Sequence, residues 1–259
     1  MKKRRKVIIG LALLLCVSVV VSGCKSKKNI VKEMTPLMYE YQKRPLMEYF
    51  SSRESSVNIL NSAKNRTENG DLVSKGMVLK YYPTEKKAYG KYFERLYLKE
   101  AKVGEGDEVK ETFIMFDGEK YHVKENAELT EEIKNFKFMI EEFDFTKDYT
   151  KNFKIEKSGY NFEVPSYSLT YKLPQIDREI EAYIKTKGLP QYGEESFLEF
   201  NKDGEGYSGG KVNLVIQQQP NISIYELINT SVSETGGNDY RALFLGEETE
   251  NEQETSDLQ

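Results

Sequence analysis

The sequence predicts an α+β domain in which a strongly curved antiparallel sheet holds a helix against its concave face. Three observations carry this. Apolar and polar residues alternate along several short runs, an Asp-Gly pair at 117–118 joins two such runs, and one mid-chain stretch switches to helical spacing. Strands that follow one another through short turns pair antiparallel, and a sheet with one apolar face must cover it with another layer.

Ile30, Met34, Leu37, Met38 and Tyr41 open the fold as one helical face, with Pro36 and Pro45 limiting any single helix to a short run and Thr35 placed to cap a restart. The period then changes to two at Val57, Ile59 and Leu60. A polar turn over 64–71 leads to Met77, Leu79 and Tyr81, which alternate with Val78 and Lys80 until Pro83 stops the run. Residues 89–99, rich in Tyr, Phe and Leu, form a third extended run. Thr112-Phe113-Ile114-Met115-Phe116, then Asp117-Gly118, then Glu119-Lys120-Tyr121-His122-Val123 predict a hairpin closed by a type I′ turn, whose two central residues both take positive φ. Leu129, Ile133, Phe136, Ile140 and Phe143 predict one amphipathic helix, with Glu131, Glu132 and Lys134 outside. Extended segments resume at 153–155, 160–164, 167–171, 179–185, 197–200 and 211–218, broken by Asp203-Gly204 and Gly209-Gly210.

The first residues carry an address. Met1 is followed by Lys2, Lys3, Arg4, Arg5 and Lys6, and Val7 to Val21 contain no charge, which is the layout of an export signal. The apolar run is shorter than the ~20 residues of a membrane-spanning helix. Val21-Ser22-Gly23-Cys24 resembles the bacterial lipobox. That resemblance implies cleavage between Gly23 and Cys24, diacylglycerol on Cys24, and tethering to the extracytoplasmic face of the cell membrane. The chain divides into a signal at 1–23, an anchor and spacer at 24–28, one folded domain at 29–246, and a disordered tail at 247–259, where EETENEQETSDLQ holds a single apolar residue.

Loss of residues 1–23 removes five of the 38 basic side chains and none of the 42 acidic ones, leaving 33 against 42 and a net charge of −9. Such a surface repels phosphates, which excludes nucleic acid as a partner. The chain has two cysteines; Cys16 leaves with the signal and Cys24 takes the lipid. No thiol then remains for a disulfide, a zinc site or a nucleophile.

The strand–turn–strand at Phe116-Asp117-Gly118-Glu119-Lys120-Tyr121 and the stretch Ala182-Tyr183-Ile184-Lys185-Thr186-Lys187-Gly188-Leu189-Pro190, followed by Phe197-Leu198-Glu199-Phe200-Asn201-Lys202-Asp203-Gly204, resemble the LolA/LolB superfamily of lipoprotein carriers. The resemblance implies a half-open antiparallel barrel with helices over an apolar cavity. The arginine with which the carrier closes its lid matches no motif residue here, and a chain tethered at Cys24 differs from a soluble shuttle. The anchored relatives that the resemblance allows are the mycobacterial-type lipid-binding lipoproteins and the spore-germination lipoprotein GerS, a protein partner of a cell-wall amidase.

Residues with chemical potential are few. His122 is the sole histidine, without a GxSxG or HExxH context, and reads as a strand residue near the sheet surface. Asn201 to Gly206 imitates the start of a calcium loop, but its twelfth position is Val212, so a polar turn explains it. Adjacent acids such as Glu131-Glu132, Glu141-Glu142 and Glu194-Glu195 point apart. The formal glycosylation acceptors Asn65, Asn221 and Asn229 are assigned no function. Met77, Leu79, Tyr81, Phe113, Met115, Tyr167, Leu169 and Tyr171 remain, filling a core or lining a cavity. The sequence therefore predicts a non-enzymatic, lipid-anchored binding protein with no cofactor or metal. Its partners are the membrane, through diacylglyceryl Cys24, and either an amphiphile in the concave face or a cell-envelope protein docked on the sheet edge or helices. A hydrolase built on His122 is the remaining alternative.

Overall fold

The computed structural model describes residues 25–99, 108–125, 127–145, 147–174, 177–189, 195–203, 209–217, 222–232 and 239–247. Helices α1 (Lys27–Glu40) and α2 (Leu46–Ser51) precede five strands, β1 (Ser56–Arg66), β2 (Leu72–Tyr82), β3 (Lys87–Tyr97), β4 (Glu108–Phe116) and β5 (Tyr121–Val123). Three single turns of helix follow, α3 (Glu131–Lys134), α4 (Met139–Glu142) and α5 (Lys147–Thr150), then β6 (Lys154–Asn161) and β7 (Ser166–Lys172). Helix α6 (Arg178–Thr186), strands β8 (Glu195–Asp203), β9 (Gly209–Gln217) and β10 (Ile222–Val232), and helix α7 (Tyr240–Leu245) complete the chain.

The strands form one ten-stranded sheet, ordered β5-β4-β3-β2-β1-β10-β9-β8-β7-β6. It is two antiparallel meanders fused where β10 returns to pair with β1. Strands β5 and β6 are its edges, so the sheet is open, and the segment carrying α3–α5 must run from one edge to the other. That crossing covers the inner face: Ile133, Phe138, Met139, Ile140, Phe143 and Phe145 are each at most 1% exposed. One continuous core takes in Tyr121 of β5 and, packed at its margin, Ile155 of β6. A sheet whose two edges share a core around one connection is curled over it, consistent with a half-barrel.

Several elements differ from the sequence expectation, each for a local reason. Helix α1 runs through Pro36 instead of stopping there. Thr35 uses its hydroxyl to donate to Val31 O at 3.0 Å, and burial of Ile30, Met34, Leu37 and Met38, at about 1.5–3 kcal/mol each, outweighs the ~3 kcal/mol of an internal proline. The helix begins at Lys27, so the last two residues assigned to the spacer are its first turn. The expected mid-chain helix is two turns, α3 and α4, separated where Phe138 is extended (φ −83°, ψ 157°). Residues 179–185, expected extended, belong to α6: the Asp177 carboxylate accepts from Glu179 N at 3.1 Å and Ile180 N at 3.0 Å, and Ile180, Tyr183 and Ile184 form its buried face. The 117–118 turn is not type I′, because Gly118 has φ +105° and Asp117 has no positive φ. The loop spans four residues between the paired Phe116 and Tyr121, and the Asp117 carboxylate braces it from inside.

Candidate functional site

Strand register places the predicted cavity residues on two different faces. Leu79, Gly90 and Ile114 form one cross-strand row, and Tyr81, Ala88 and Phe116 another. Both rows face the core, with Met77, Leu79 and Tyr81 at most 2% exposed. Tyr167, Leu169 and Tyr171 enter the same core from β7. Phe113 and Met115 do not. They have the opposite parity and pack on the outer face beneath α7, with Tyr82, Tyr89 and Tyr240. Because Phe113-Ile114-Met115-Phe116 is apolar at every position, the sequence offered no parity to read. The inner face is thus filled by the chain's own side chains rather than held open along these strands. Gly23 and Cys24 lie outside the described residues, as does the turn over 204–208.

His122 sits on β5 with its Nε2 2.5 Å from the Asp117 Oδ2. The ring ties the hairpin loop to the strand that leaves it, and the pair holds the Asp117 carboxyl well below the usual carboxylate range, with the Lys120 and Glu119 amides adding to the effect. Among the described residues, no group of three or more His, Cys, Asp or Glu side chains is arranged to hold a metal.

A half-open concavity lies instead at the end of the sheet where β1 finishes and β2 begins. It has a volume of about 550 Å³ and is walled by β1 to β3, by α3, and by the C-terminal end of α6. Ala63, Val73, Tyr92, Phe136 and Leu189 give it an apolar side, while Lys75, Lys137, Lys185, Lys187, Glu131 and Glu132 give it charge. Thr130 caps α3, its hydroxyl accepting from Ile133 N at 3.3 Å, which sets Glu131 and Glu132 at the rim. Helix α6 ends in a turn in which Gly188 N donates to Lys185 O and Leu189 N to Ile184 O, directing Lys187 and Leu189 inward. A second depression of about 420 Å³ lies across the Phe136-Lys137 wall, against the β4–β5 loop and α2.

Behind the cleft is a buried polar chain that the sequence reading missed. Glu226, fully buried on β10, accepts from Met139 N at 2.6 Å and Ile140 N at 3.2 Å. It accepts also from Asn61 Nδ2 at 3.0 Å. The same amide lies 2.9 Å from the Tyr183 hydroxyl, which donates to Lys137 O at 3.3 Å. Lys187 donates to that carbonyl at 2.7 Å, with its ammonium 3.6 Å from the centre of the Phe136 ring. Burial pushes the Glu226 carboxyl up to about 7, against the pull of the amides and Lys187. Burial likewise brings the Lys187 ammonium down to about 7, against the attraction of Glu226, Glu141 and Glu142. The available signal was a charged residue at an inward position among Ile222, Ile224 and Ile228, in the strand that the alternation rule passed over.

With this geometry in hand, comparison with known proteins gives a family. A profile of the Csa1 family, DUF576, matches residues 48–230, and the chain belongs to that family. It is 31% identical over 206 residues to an uncharacterized lipoprotein of Staphylococcus aureus strain USA300, covering 73% of this chain and 80% of that one. A lipoprotein of strain COL is 29% identical over 208 residues, with the same coverage, and one of strain N315 is 29% identical over 205 residues, covering 73% and 79%. A solved DUF1329 family protein from Desulfovibrio piger aligns with 82% of this chain and 97% of its own at 9% identity and a TM-score of 0.21, too distant to carry an argument about fold. Csa1, rather than the LolA/LolB superfamily or GerS, is the membership established. The relatives are lipoproteins by name, in keeping with a membrane-anchored chain, and no described helix is long and apolar enough to cross a membrane.

Proposed function

We propose that this chain is a lipid-anchored, extracytoplasmic binding protein that acts without catalysis, taking an anionic amphiphile into the cleft between α3, α6 and strands β1–β3. The observation that carries this is the cleft's lining. In a mature chain of net charge −9, four lysines face two glutamates beside an apolar wall. Its volume of about 550 Å³ is within the range of small-molecule sites. Lys75 is engaged by Glu94 at 3.0 Å and Glu132 at 3.3 Å, and Lys137 by Glu141 at 3.4 Å. Lys185 and Lys187 make no ion pair among the described residues. They would receive the anionic head, with the apolar part against Val73, Tyr92, Phe136 and Leu189.

Native mass spectrometry of residues Lys25 to Gln259, before and after organic extraction, tests the reading. A labile mass that identifies as lipid and rebinds to the extracted protein supports it. A clean apoprotein that takes up no fluorescent fatty acid overturns it. The second reading, docking of a cell-envelope protein, is favoured by the filled inner face, where Met77, Leu79, Leu169 and Leu198 have no exposed surface.

A further inference from the structure

We infer that the tip of the β6–β7 hairpin is a second membrane contact, an apolar wedge that places Phe162 and Val164 among lipid headgroups beside the Cys24 anchor. This goes beyond the cleft reading and rests on lipidation of Cys24. Phe162 and Val164 are 65% and 66% exposed, more than any other large apolar side chain among the described residues. They are presented by a defined turn, since the Asn161 side-chain Oδ1 accepts from Glu163 N at 3.0 Å.

The position of the anchor selects the occupant. Lys25 lies in the groove of the cross-strand pair Tyr160 and Tyr167, whose rings are 4.9 Å apart. Its ammonium is 4.4 Å and 4.5 Å from the two ring centres and donates to the Tyr167 hydroxyl. Cys24 directly precedes Lys25 in the sequence. The tip begins two residues beyond Tyr160, at about 3.3 Å per residue. A surface this close to the residue bearing diacylglycerol is held at the bilayer at all times. Tyrosine rings flanking an apolar tip suit the headgroup layer, where one end of the ring is wet and the other is not. Two apolar side chains are too little surface for a stable protein interface, which buries at least about 1,200 Å².

The charges near the tip are mixed. Glu163 lies within it, and Asp203 stands opposite Ser166. Glu33 faces Lys202 at 3.9 Å, while Lys25, Lys27, Lys28 and Lys32 supply cations at the start of the chain. One consequence concerns the cleft. At the tip's end of the sheet, Gly209 pairs with Asn229, Asn229 with Asn58, and Asn58 with Lys80. The cleft lies by Asn65 and Val73, about 23 Å further along β1 at about 3.3 Å per residue. With the tip in the headgroups, the cleft lies at the end of the sheet opposite the one that meets the bilayer.

Full-length protein carrying Phe162→Cys, Val164→Cys or, in the exposed β1–β2 turn outside the cleft lining, Glu68→Cys, processed and lipidated in a bacterial host, provides the test. Lipidated Cys24 leaves the introduced residue as the single free thiol of the mature chain, to be labelled with an environment-sensitive fluorophore in isolated membranes. Nitroxide-bearing lipids quench the label at 162 and 164 several-fold more than at 68, and its emission there is blue-shifted. Equal lipid quenching at the three positions, with equal access to aqueous iodide, overturns the wedge while leaving the anchor intact. Recovery of labelled chain outside the membrane fraction overturns the anchor and the wedge together, whatever the cleft binds.

Discussion

Glu226 and Asn61 are direct cross-strand partners on β10 and β1, at the seam of the two meanders, and the Asn61 amide donates to the Glu226 carboxylate at 3.0 Å with both residues fully buried. The carboxylate also accepts the first two amides of α4. A four-residue helix has every amide at its N-terminus without an internal partner, so a single side chain from the sheet both fixes the crossing segment and supplies its cap.

Replacing Glu226 with Ala leaves three buried donors without an acceptor, and stability falls by about 3–5 kcal/mol. Glu226→Gln costs less, because one oxygen remains. The pH dependence separates the two effects. The folded carboxyl titrates at about 7 rather than near its ordinary value of 4.5. Between those values the folded state holds a proton that the unfolded state has released, so this group's contribution is largest below the unfolded value and is lost as pH rises through about 7. Urea denaturation across that window shows wild type losing stability relative to Glu226→Gln as pH rises; parallel curves would refute the assignment.

Gly90 occupies the row between Leu79 and Ile114, where β2 and β3 approach closely. A Cβ there would lie 1.8 Å from the Val78 carbonyl oxygen, against backbone that cannot move aside. Gly90→Ala is therefore expected to cost about 3 kcal/mol or more, or to prevent folding. Soluble yield and thermal unfolding measure it, with Gly159→Ala as the comparison, because the Cβ there meets only the Ser168 hydroxyl. Equal behaviour of the two variants would contradict the packing argument.

Both meanders were legible where apolar residues alternated with polar ones, as along Tyr167-Leu169-Tyr171 and Met77-Leu79-Tyr81. Legibility failed in three ways. Parity was lost at 113–116, where both faces are apolar because α7 covers the outer one. Period was misread at 179–185, where the Asp177 cap outweighs an accidental alternation. The central strand β10 went unrecognised because Glu226 stands at an inward position, and its reason for being there is the amides of Met139 and Ile140, some 86 residues away in sequence. The candidate site shares that cause: Asn61, Glu226 and Lys187 come from three distant segments, and burial, which no local pattern reports, gives two of them unusual acidity.

The Asp117–His122 pair gives an acid-side prediction. The folded Asp117 carboxyl is held down first by His122 and then by the Lys120 and Glu119 amides. Its contribution is present above the unfolded carboxylate value and disappears as pH falls through the depressed folded value. His122→Ala removes the leading cause while keeping the amides, so the Asp117 midpoint moves up by part of the shift. Carboxyl carbon chemical shifts followed on acidification report it, and an unchanged midpoint would count against the pairing.

On the proposed anchoring, substitution of Cys24 by Ala removes the thiol that would accept diacylglycerol. Incorporation of labelled fatty acid is lost, and the chain leaves the membrane fraction. The folded domain is unaffected, since Met34, Leu37 and the rest of the core lie beyond the anchor. Retention of Cys24→Ala protein on membranes at the level of wild type would show that something other than the lipid holds it there.

Lys187 ties the cleft to pH. Burial lowers its ammonium to about 7 against the attraction of Glu226, so the cation facing the cleft is lost as pH rises through that value. An anionic ligand binds the charged form, and its affinity declines across the same range. Binding also restores the charge, since an anion beside the ammonium raises its affinity for a proton, and above neutrality the complex therefore takes up protons. Titration calorimetry with a short-chain fatty acid, in buffers of different ionisation enthalpy, measures that uptake directly. Lys187→Gln abolishes it, and Glu226→Gln shifts it to lower pH by withdrawing the negative neighbour. Binding with the same enthalpy in every buffer, at a pH above about 7, would place the ligand away from Lys187.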